Sequence, residues 1–202
     1  MVENSSVYTV LGIDVISYSL KGLEDQVQAQ EVLDRCLDSS VRENWKKNID
    51  DVHWIDAGDG GYLLLCGQEH RVLELLHAFQ GKIEIDTKKW PEDEKLLFRY
   101  AIHSDRVKVW DAALGTKFTG HAINNCARLL NGMNKEQEGQ VVCSGNYFEA
   151  IGAFGNTTVI SDRLYDVVDK HGITHKVYNL HRVPGFGVTP LPRERHPDPT
   201  EG

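Results

Sequence analysis

The sequence has few cysteines and, before residue 183, almost no proline. Its four cysteines, Cys36, Cys66, Cys126 and Cys143, have no C-x-x-C spacing and fall within apolar patterns. This arrangement predicts reduced core thiols rather than disulfides or a zinc site. Five of the six prolines follow residue 182. We therefore predict a folded domain over residues 1–182 and a flexible, proline-rich tail over residues 183–202.

Basic residues and long apolar runs are also scarce. Lysine and arginine number 22 against 30 acidic residues, giving a formal net charge of -8. No general nucleic-acid or membrane-surface binder is expected, because these partners call for a basic patch. No apolar run approaches the roughly 20 residues of a membrane span, and the polar start lacks the order of a signal peptide. A cytoplasmic location is expected.

The common phosphate-binding and zinc motifs are absent. The sequence contains no G-x-x-x-x-G-K-[ST], no G-x-G-x-x-G after its first strand, and no H-E-x-x-H. A phosphate ligand would therefore need local positive charge or a metal ion.

Hydrophobic periodicity predicts mixed strands and helices. β-Branched residues predict a strand over residues 7–17 that is buried on both faces, and "DVHWIDA" and "YLLLC" predict the arms of a hairpin. The predicted helices cover residues 24–47, 69–80 and 120–133. The other predicted strands cover residues 95–103, 106–110, 139–144, 156–161 and 174–180. This mixture indicates an α/β or α+β domain.

Two acidic residues stand out in this pattern. Asp14 lies in an apolar strand, where an unpaired charge is costly, and Asp59 lies at the hairpin tip. If the strand and hairpin are neighbours, their carboxylates converge on one or two divalent cations.

The helix over residues 120–133 offers a second set of polar groups. Asn124 and Arg128 are four residues apart and project from one face, while Ile123, Ala127 and Leu130 are predicted to form its buried stripe. An amide and a guanidinium suit a ligand with a sugar and anionic oxygens. An ordinary solvated helix face explains the same pair.

Four motifs in order resemble the catalytic domain of the class III nucleotidyl cyclases. They are "VLGIDVISYS", "GDGGYLLL", "FRYAIHSDRV" and "TGHAINNCARLL". The chain departs from the family pattern at Ala101, where the family has glycine, and at Cys126, where it has alanine. The resemblance covers residues 7–180.

This resemblance implies a fold, an assembly and a set of metal ligands. The expected fold is α+β, a ferredoxin-like sheet with helices on one face, in a head-to-tail homodimer that binds a nucleoside triphosphate at its interface. Asp14 and Asp59, with the carbonyl of Val15, are expected to hold two Mg²⁺ or Mn²⁺ ions.

The same resemblance gives roles to three further residues. Asn124 is expected to orient the ribose, and Arg128 to meet charge at the α-phosphate. Lys170 matches the lysine that contacts the terminal phosphates, with Lys176 as a rival.

The base-reading positions depart from those of purine cyclases. Adenylate cyclases of the family usually have lysine where this chain has Ile55, and often aspartate or threonine where it has Lys117. A lysine donor suits a pyrimidine carbonyl, and Trp54 could fill the space that a smaller base leaves. These departures resemble the bacterial pyrimidine cyclases of antiphage defence and favour UTP over CTP, giving cyclic UMP. A purine cyclase, or an inactive cyclase-fold sensing or dimerisation module, remains an alternative.

Overall fold

A computed structural model describes residues 5–45, 52–67, 69–113, 115–133, 139–152, 159–168 and 174–182. Within these ranges the chain forms one mixed sheet and four α-helices. The strands are β1 (Ser5–Val15), β2 (Val52–Asp56), β3 (Gly60–Cys66), β4 (Phe98–Ala112), β5 (Gly115–Gly120), β6 (Val141–Ser144), β7 (Val159–Val168) and β8 (Thr174–Arg182). The helices are α1 (Leu23–Asn44), α2 (Val72–Asp86), α3 (His121–Gly132) and α4 (Gly145–Gly152). None of the described helices is long and apolar enough to cross a membrane.

The sheet has the order β2-β3-β1-β4-β6-β8-β7, and β5 pairs with β4 as the second arm of a hairpin. Only the β4–β6 pairing is parallel among those described. β1 is hydrogen-bonded on both edges, to β3 and β4. Its residues from Tyr8 to Ile13 are all buried. The predicted strand buried on both faces is therefore confirmed.

The two faces of the sheet carry different helices. Alternate residues of β1, including Leu11 and Ile13, share a hydrophobic core with α1, α2 and α4. We call this the α1/α2 face. The residues between them, such as Val10, pack with α3, and we call this the α3 face. Three helices, α1, α2 and α4, lie on one face of the sheet, as expected. The fourth, α3, lies on the other face.

Several predicted elements have different bounds in the structure. The strands predicted at 95–103 and 106–110 are one continuous strand, β4, because Ser104 and Asp105 keep pairing with β1. α2 continues past Gly81 to Asp86, since Ile83 is buried against the core. β5 and α4 were not predicted.

α3 is rotated by about one residue from the predicted orientation. Ile123 and Ala127 are only half-buried. The buried residues are Ala122, Cys126, Leu129 and Leu130. Cys126 faces the sheet because glycine at position 12 leaves room there; a Cβ on Gly12 would lie 2.9 Å from the sulfur. The two departures from the family pattern also meet, since Cys126 Sγ lies 3.3 Å from the carbonyl oxygen of Ala101. Burial raises the pKa of the Cys126 thiol to about 12, so the thiol stays neutral.

Candidate active site

The structure brings Asp14 and Asp59 together at one end of the sheet. Asp14 lies opposite Gly60 in the β1–β3 register, so Asp59 is the next residue along that strand edge. The backbone N–H of Val15 donates to the carbonyl oxygen of Asp59 at 2.8 Å, which fixes the hairpin tip against β1. The predicted convergence of strand and hairpin is therefore present in the backbone. All three predicted metal-binding positions, Asp14, Val15 and Asp59, meet here.

Glycines make this close approach possible. Gly60 has a φ of +151°, and a Cβ there would lie 2.1 Å from the carbonyl oxygen of Ile13. No other residue fits without displacing β1. The turn is held further by Asp56, whose carboxylate accepts the N–H of Gly58 at 2.8 Å, and by Gln30 of α1, which donates to the Gly58 carbonyl. The exposed carboxylate of Asp59 thus projects from a constrained turn.

Arg99 compensates the charge of Asp14. Nε and Nη2 of Arg99 lie 2.9 and 2.5 Å from Oδ2 of Asp14, directly across the β1–β4 register. Nη1 of Arg99 donates to the carbonyl of Met133, at the end of α3, at 2.6 Å. Both hydrogen bonds from Arg99 to Asp14 end on Oδ2. The other oxygen, Oδ1, accepts no hydrogen bond from the described residues. Arg99 lies in β4, inside the sheet, and contacts the candidate metal ligand.

The oxygen donors of Asp14, Val15 and Asp59 fit a hard divalent cation whose remaining ligands come from a bound substrate. In the part of the chain that the structure describes, no group of three or more histidine, cysteine, aspartate or glutamate side chains could hold a metal. Two neighbouring carboxylates and a carbonyl are the set with which Mg²⁺ is held when substrate phosphates supply further oxygens.

Asn124 and Arg128 lie on α3. Asn124 is exposed and Arg128 is half-buried. Nη1 of Arg128 donates to Oδ1 of Asn125 at 2.9 Å, and Nδ2 of Asn125 lies 3.3 Å from Nε2 of His103. His103 is four residues from Arg99 along β4, which is roughly 13 Å in a strand. Asn125 therefore contacts β4 at a different point from the pair of Arg99 and Asp14.

His103 is buried between α3 and the sheet. Its Nδ1 lies 2.6 Å from Oγ of Ser144 on β6, and its side chain is 1% exposed. Burial lowers the pKa of His103 to about 4, because desolvation opposes the charged form. The ring is neutral at neutral pH. The buried ring thus has a hydrogen-bond partner at each nitrogen, and the sequence motifs gave no sign of its contact with Asn125.

The candidate base-reading residues lie on different faces. Ile55 packs on the α3 face, the face that also carries Asp14. Trp54 packs on the α1/α2 face, where its ring covers Gly61. Trp54 therefore does not share the face of Asp14 and Ile55.

Lys117 lies on β5 and is exposed. The next residue, Phe118, packs on His53 of β2 with ring centroids 4.9 Å apart. His53 is two residues before Ile55 on the same face of β2, so the hairpin of β4 and β5 reaches the strand of Ile55. Lys170 and the tail over residues 183–202 lie outside the described residues.

No family model and no curated protein matches the sequence. Solved structures do match the fold. The guanylyl cyclase Cya2 aligns with a TM-score of 0.73 and 15% identity over 92% of this chain and 96% of its own. An adenylate/guanylate cyclase/hydrolase from Silicibacter pomeroyi aligns with a TM-score of 0.68 and 17% identity over 90% and 99%. The non-canonical dimeric guanylyl cyclase domain of the RhoGC fusion protein from the aquatic fungus Blastocladiella emersonii aligns with a TM-score of 0.66 and 14% identity over 89% of this chain and 98% of its own.

These likenesses cover nearly the full length of each neighbour. At such low identities they establish a shared fold and leave the activity to the site residues. The chain has the α+β fold of class III cyclase catalytic domains, as its sequence motifs predict.

Proposed function

We propose that this chain, which has the class III cyclase fold, is a metal-dependent nucleotidyl cyclase that converts a pyrimidine nucleoside triphosphate to its 3′,5′-cyclic monophosphate and pyrophosphate. The observation that carries the proposal is the hydrogen bond from Val15 to Asp59, which sets a second carboxylate beside Asp14. Cyclase-fold neighbours whose names record cyclase activity support the reaction class.

Asp14, Asp59 and the carbonyl of Val15 would hold the metal ions, Mn²⁺ or Mg²⁺, two per site. The chemistry that such ions supply when bound is activation of the ribose 3′-hydroxyl and neutralisation of charge on the phosphates. Arg99 orients the carboxylate of Asp14 through its two contacts with Oδ2. In the reaction the 3′-oxygen loses its proton and forms a bond to the α-phosphorus, while the bond from that phosphorus to pyrophosphate breaks.

Asn124 and Arg128 would complete the site from a second copy of the chain. The contact of α3 with β4 runs through Asn125 and His103, four residues along the strand from Arg99, the partner of Asp14. A head-to-tail homodimer would bring the helix pair of one copy to the acids of the other. Asn124 would orient the ribose. Arg128 would meet the charge that develops at the α-phosphate.

The substrate proposal rests on Ile55 and Lys117. Ile55 offers no donor to a purine ring and lies on the face of Asp14. Lys117 offers only donors, which suit the carbonyl oxygens of uracil more than the amine of adenine. We favour UTP over CTP. Trp54 would influence base recognition only through β2, the strand that it shares with Ile55. Lys170 is retained as the proposed terminal-phosphate contact. The resemblance to pyrimidine cyclases of antiphage defence extends the proposal to cyclic UMP as a second messenger.

A substrate competition tests this function. Purified protein is incubated with Mn²⁺ and an equimolar mixture of ATP, GTP, CTP and UTP, and cyclic monophosphates are identified by mass. Cyclic UMP is expected. Cyclic AMP or cyclic GMP would replace the pyrimidine assignment with a purine cyclase, and no product with Mn²⁺ or Mg²⁺ would favour an inactive sensing or dimerisation module.

An isosteric variant tests the metal site. Asp59→Asn removes the charge but retains the backbone carbonyl that Val15 contacts, so the fold is expected to survive. We expect activity at least about a hundredfold lower, because the site loses half of its anionic charge. The matched control is Asp93→Asn, at an exposed aspartate of the loop between α2 and β4. Full activity in folded Asp59→Asn would remove Asp59 from the site.

A further inference from the structure

Arg128 is the first member of a row of side chains that crosses from α3 to β6. The row runs from Arg128 to Asn125, from Asn125 to His103 on β4, and from His103 to Ser144. The three distances are 2.9, 3.3 and 2.6 Å. Asn125 is not among the family positions that sequence motifs assign.

The chemistry of Arg128 fixes the direction of every bond in the row. A guanidinium only donates, so the atom of Asn125 that faces it is the amide oxygen. The NH₂ group of Asn125 then faces His103 and donates to Nε2 of the ring, while the carboxylate of Asp105 lies 3.9 Å from the same nitrogen, beyond hydrogen-bond distance. A neutral imidazole with an accepting Nε2 carries its proton on Nδ1, so Nδ1 donates to Oγ of Ser144.

Burial keeps the ring singly protonated. Desolvation lowers the pKa of His103 to about 4, so at neutral pH one ring nitrogen donates and the other accepts. A doubly protonated ring would present a donor to the NH₂ group of Asn125 and break the row.

Ser144 anchors the far end of the row. Its Oγ also accepts the backbone N–H of Tyr147 at 3.3 Å, the bond of a helix N-cap at the start of α4. Tyr147 is fully buried in the α1/α2 core. The row therefore ties the side chain of Arg128 to the rigid interior of the sheet.

We propose that Asn125 is a positioning residue that holds the guanidinium of Arg128 in its reactive orientation by linking it to His103 and Ser144. This inference rests on the proposed function, because it gives Arg128 its role at the α-phosphate. Asn125 contacts Arg128 at one nitrogen, Nη1, which fixes the orientation of the planar guanidinium. Fixing a flexible arginine before the reaction lowers the entropy lost in the transition state.

Kinetics of Asn125→Ala test the positioning role. Alanine keeps the helix, and we expect kcat to fall about ten- to hundredfold with KM within about twofold of the wild type, because the change affects orientation more than binding. The matched control is Asn131→Ala, at an exposed asparagine of the same helix, and its kcat is expected to be unchanged. An unchanged or higher kcat in Asn125→Ala would overturn the proposal.

Nitrogen NMR of His103 tests the row without any activity. The ¹⁵N chemical shifts of the ring distinguish a protonated from an unprotonated nitrogen, and the wild type is expected to be protonated at Nδ1. In Asn125→Asp a carboxylate replaces the donating amide, so the proton is expected to move to Nε2. A wild-type ring protonated at Nε2 would overturn the proposal.

The two readouts separate the two proposals. If the wild type forms no cyclic nucleotide but His103 is protonated at Nδ1, the cyclase function fails and the row is structural only, which also overturns catalytic positioning. If the wild type is active and Asn125→Ala is not impaired, the function stands and the positioning role alone fails.

Discussion

Arg99 and Asp14 form an ion pair between the adjacent strands β4 and β1, with Nη2 of Arg99 2.5 Å from Oδ2 of Asp14. Their side chains are only 20% and 19% exposed. An ion pair so shielded from water differs from a surface pair, because removing one partner leaves the other charge poorly solvated. Removal of either partner is therefore expected to destabilise the sheet.

Arg99→Met is expected to destabilise the apo protein and to make it more responsive to divalent cations. Loss of the guanidinium leaves Asp14 without its partner, which we expect to cost about 1–3 kcal/mol in the free energy of unfolding. Mn²⁺ restores positive charge near Asp14, so thermal unfolding should show a larger Mn²⁺-induced rise in Tm for the variant than for the wild type.

The control for this prediction is Arg42→Met, which removes an exposed i,i+4 pair with Asp38. Its stability and its response to Mn²⁺ are expected to match those of the wild type within about 0.5 kcal/mol. An equal Mn²⁺ response in Arg99→Met and wild type would argue against cation binding at Asp14.

The contact between Gly12 and α3 gives a prediction about packing. A Cβ at position 12 would lie 2.7 Å from Cδ1 of Leu130. Gly12→Ala is therefore expected to displace α3 and to destabilise the protein by about 1–3 kcal/mol in urea unfolding. Gly81→Ala is the matched control, because its Cβ meets no atom within 4 Å inside α2. We expect it to stabilise the protein by about 0.5–1 kcal/mol. Equal stability in both variants would contradict this account of the α3 packing.

Local patterns were sufficient for the elements that carry the acids. The β-branched residues of β1 and the Asp-Gly-Gly turn predict the strand and the hairpin that carry the two carboxylates, and the register confirms that their backbones meet. The helical stripe of α1 is also confirmed. These features depend on neighbours in sequence, where periodicity and turn chemistry hold most of the information.

Features that depend on tertiary contact were not predictable. The rotation of α3 follows from the space above Gly12, and the pairing of Arg99 with Asp14 joins residues 85 positions apart. α4 is only eight residues long and is capped by Ser144, so its pattern is too short to read. The adjacent asparagines before Cys126 and the histidine of β4 were the only sequence signals of the row that ends at Arg128.

His103 gives a pH dependence of stability with a defined sign. Its pKa is about 4 in the folded protein, below the usual 6.5, so the unfolded chain binds the proton more readily between these values. Stability from His103 is fully present above about pH 6.5 and is lost as the pH falls toward 4, by about 3 kcal/mol in total.

Urea unfolding from pH 4 to 7 measures this loss. The difference in unfolding free energy between wild type and His103→Gln should shrink as the pH falls through that window. A pH-independent difference for His103→Gln would mean that the ring is not held neutral by burial.

Base selectivity is expected to follow Ile55 and Lys117. In the double variant Ile55→Lys, Lys117→Asp, both positions take the residues usual in adenylate cyclases of the resembled family. An aspartate accepts from the exocyclic amine of adenine, whereas the native lysine only donates. We expect the product ratio of cyclic AMP to cyclic UMP in the four-nucleotide competition to rise at least tenfold, since one misplaced donor in a binding pocket is worth about 1–3 kcal/mol.

Lys108→Asp, placed on β4 at an exposed position, is the control for the change of charge. Its product ratio should remain that of the wild type, because Lys108 pairs with Ser5 at the far end of β1 from Asp14. Trp54→Phe is informative in the same assay. Trp54 packs on the α1/α2 face, so the conservative change should leave the ratio unaltered if Ile55 and Lys117 read the base. A ratio that responds to Trp54 and ignores the double variant would move base recognition to the opposite face of β2.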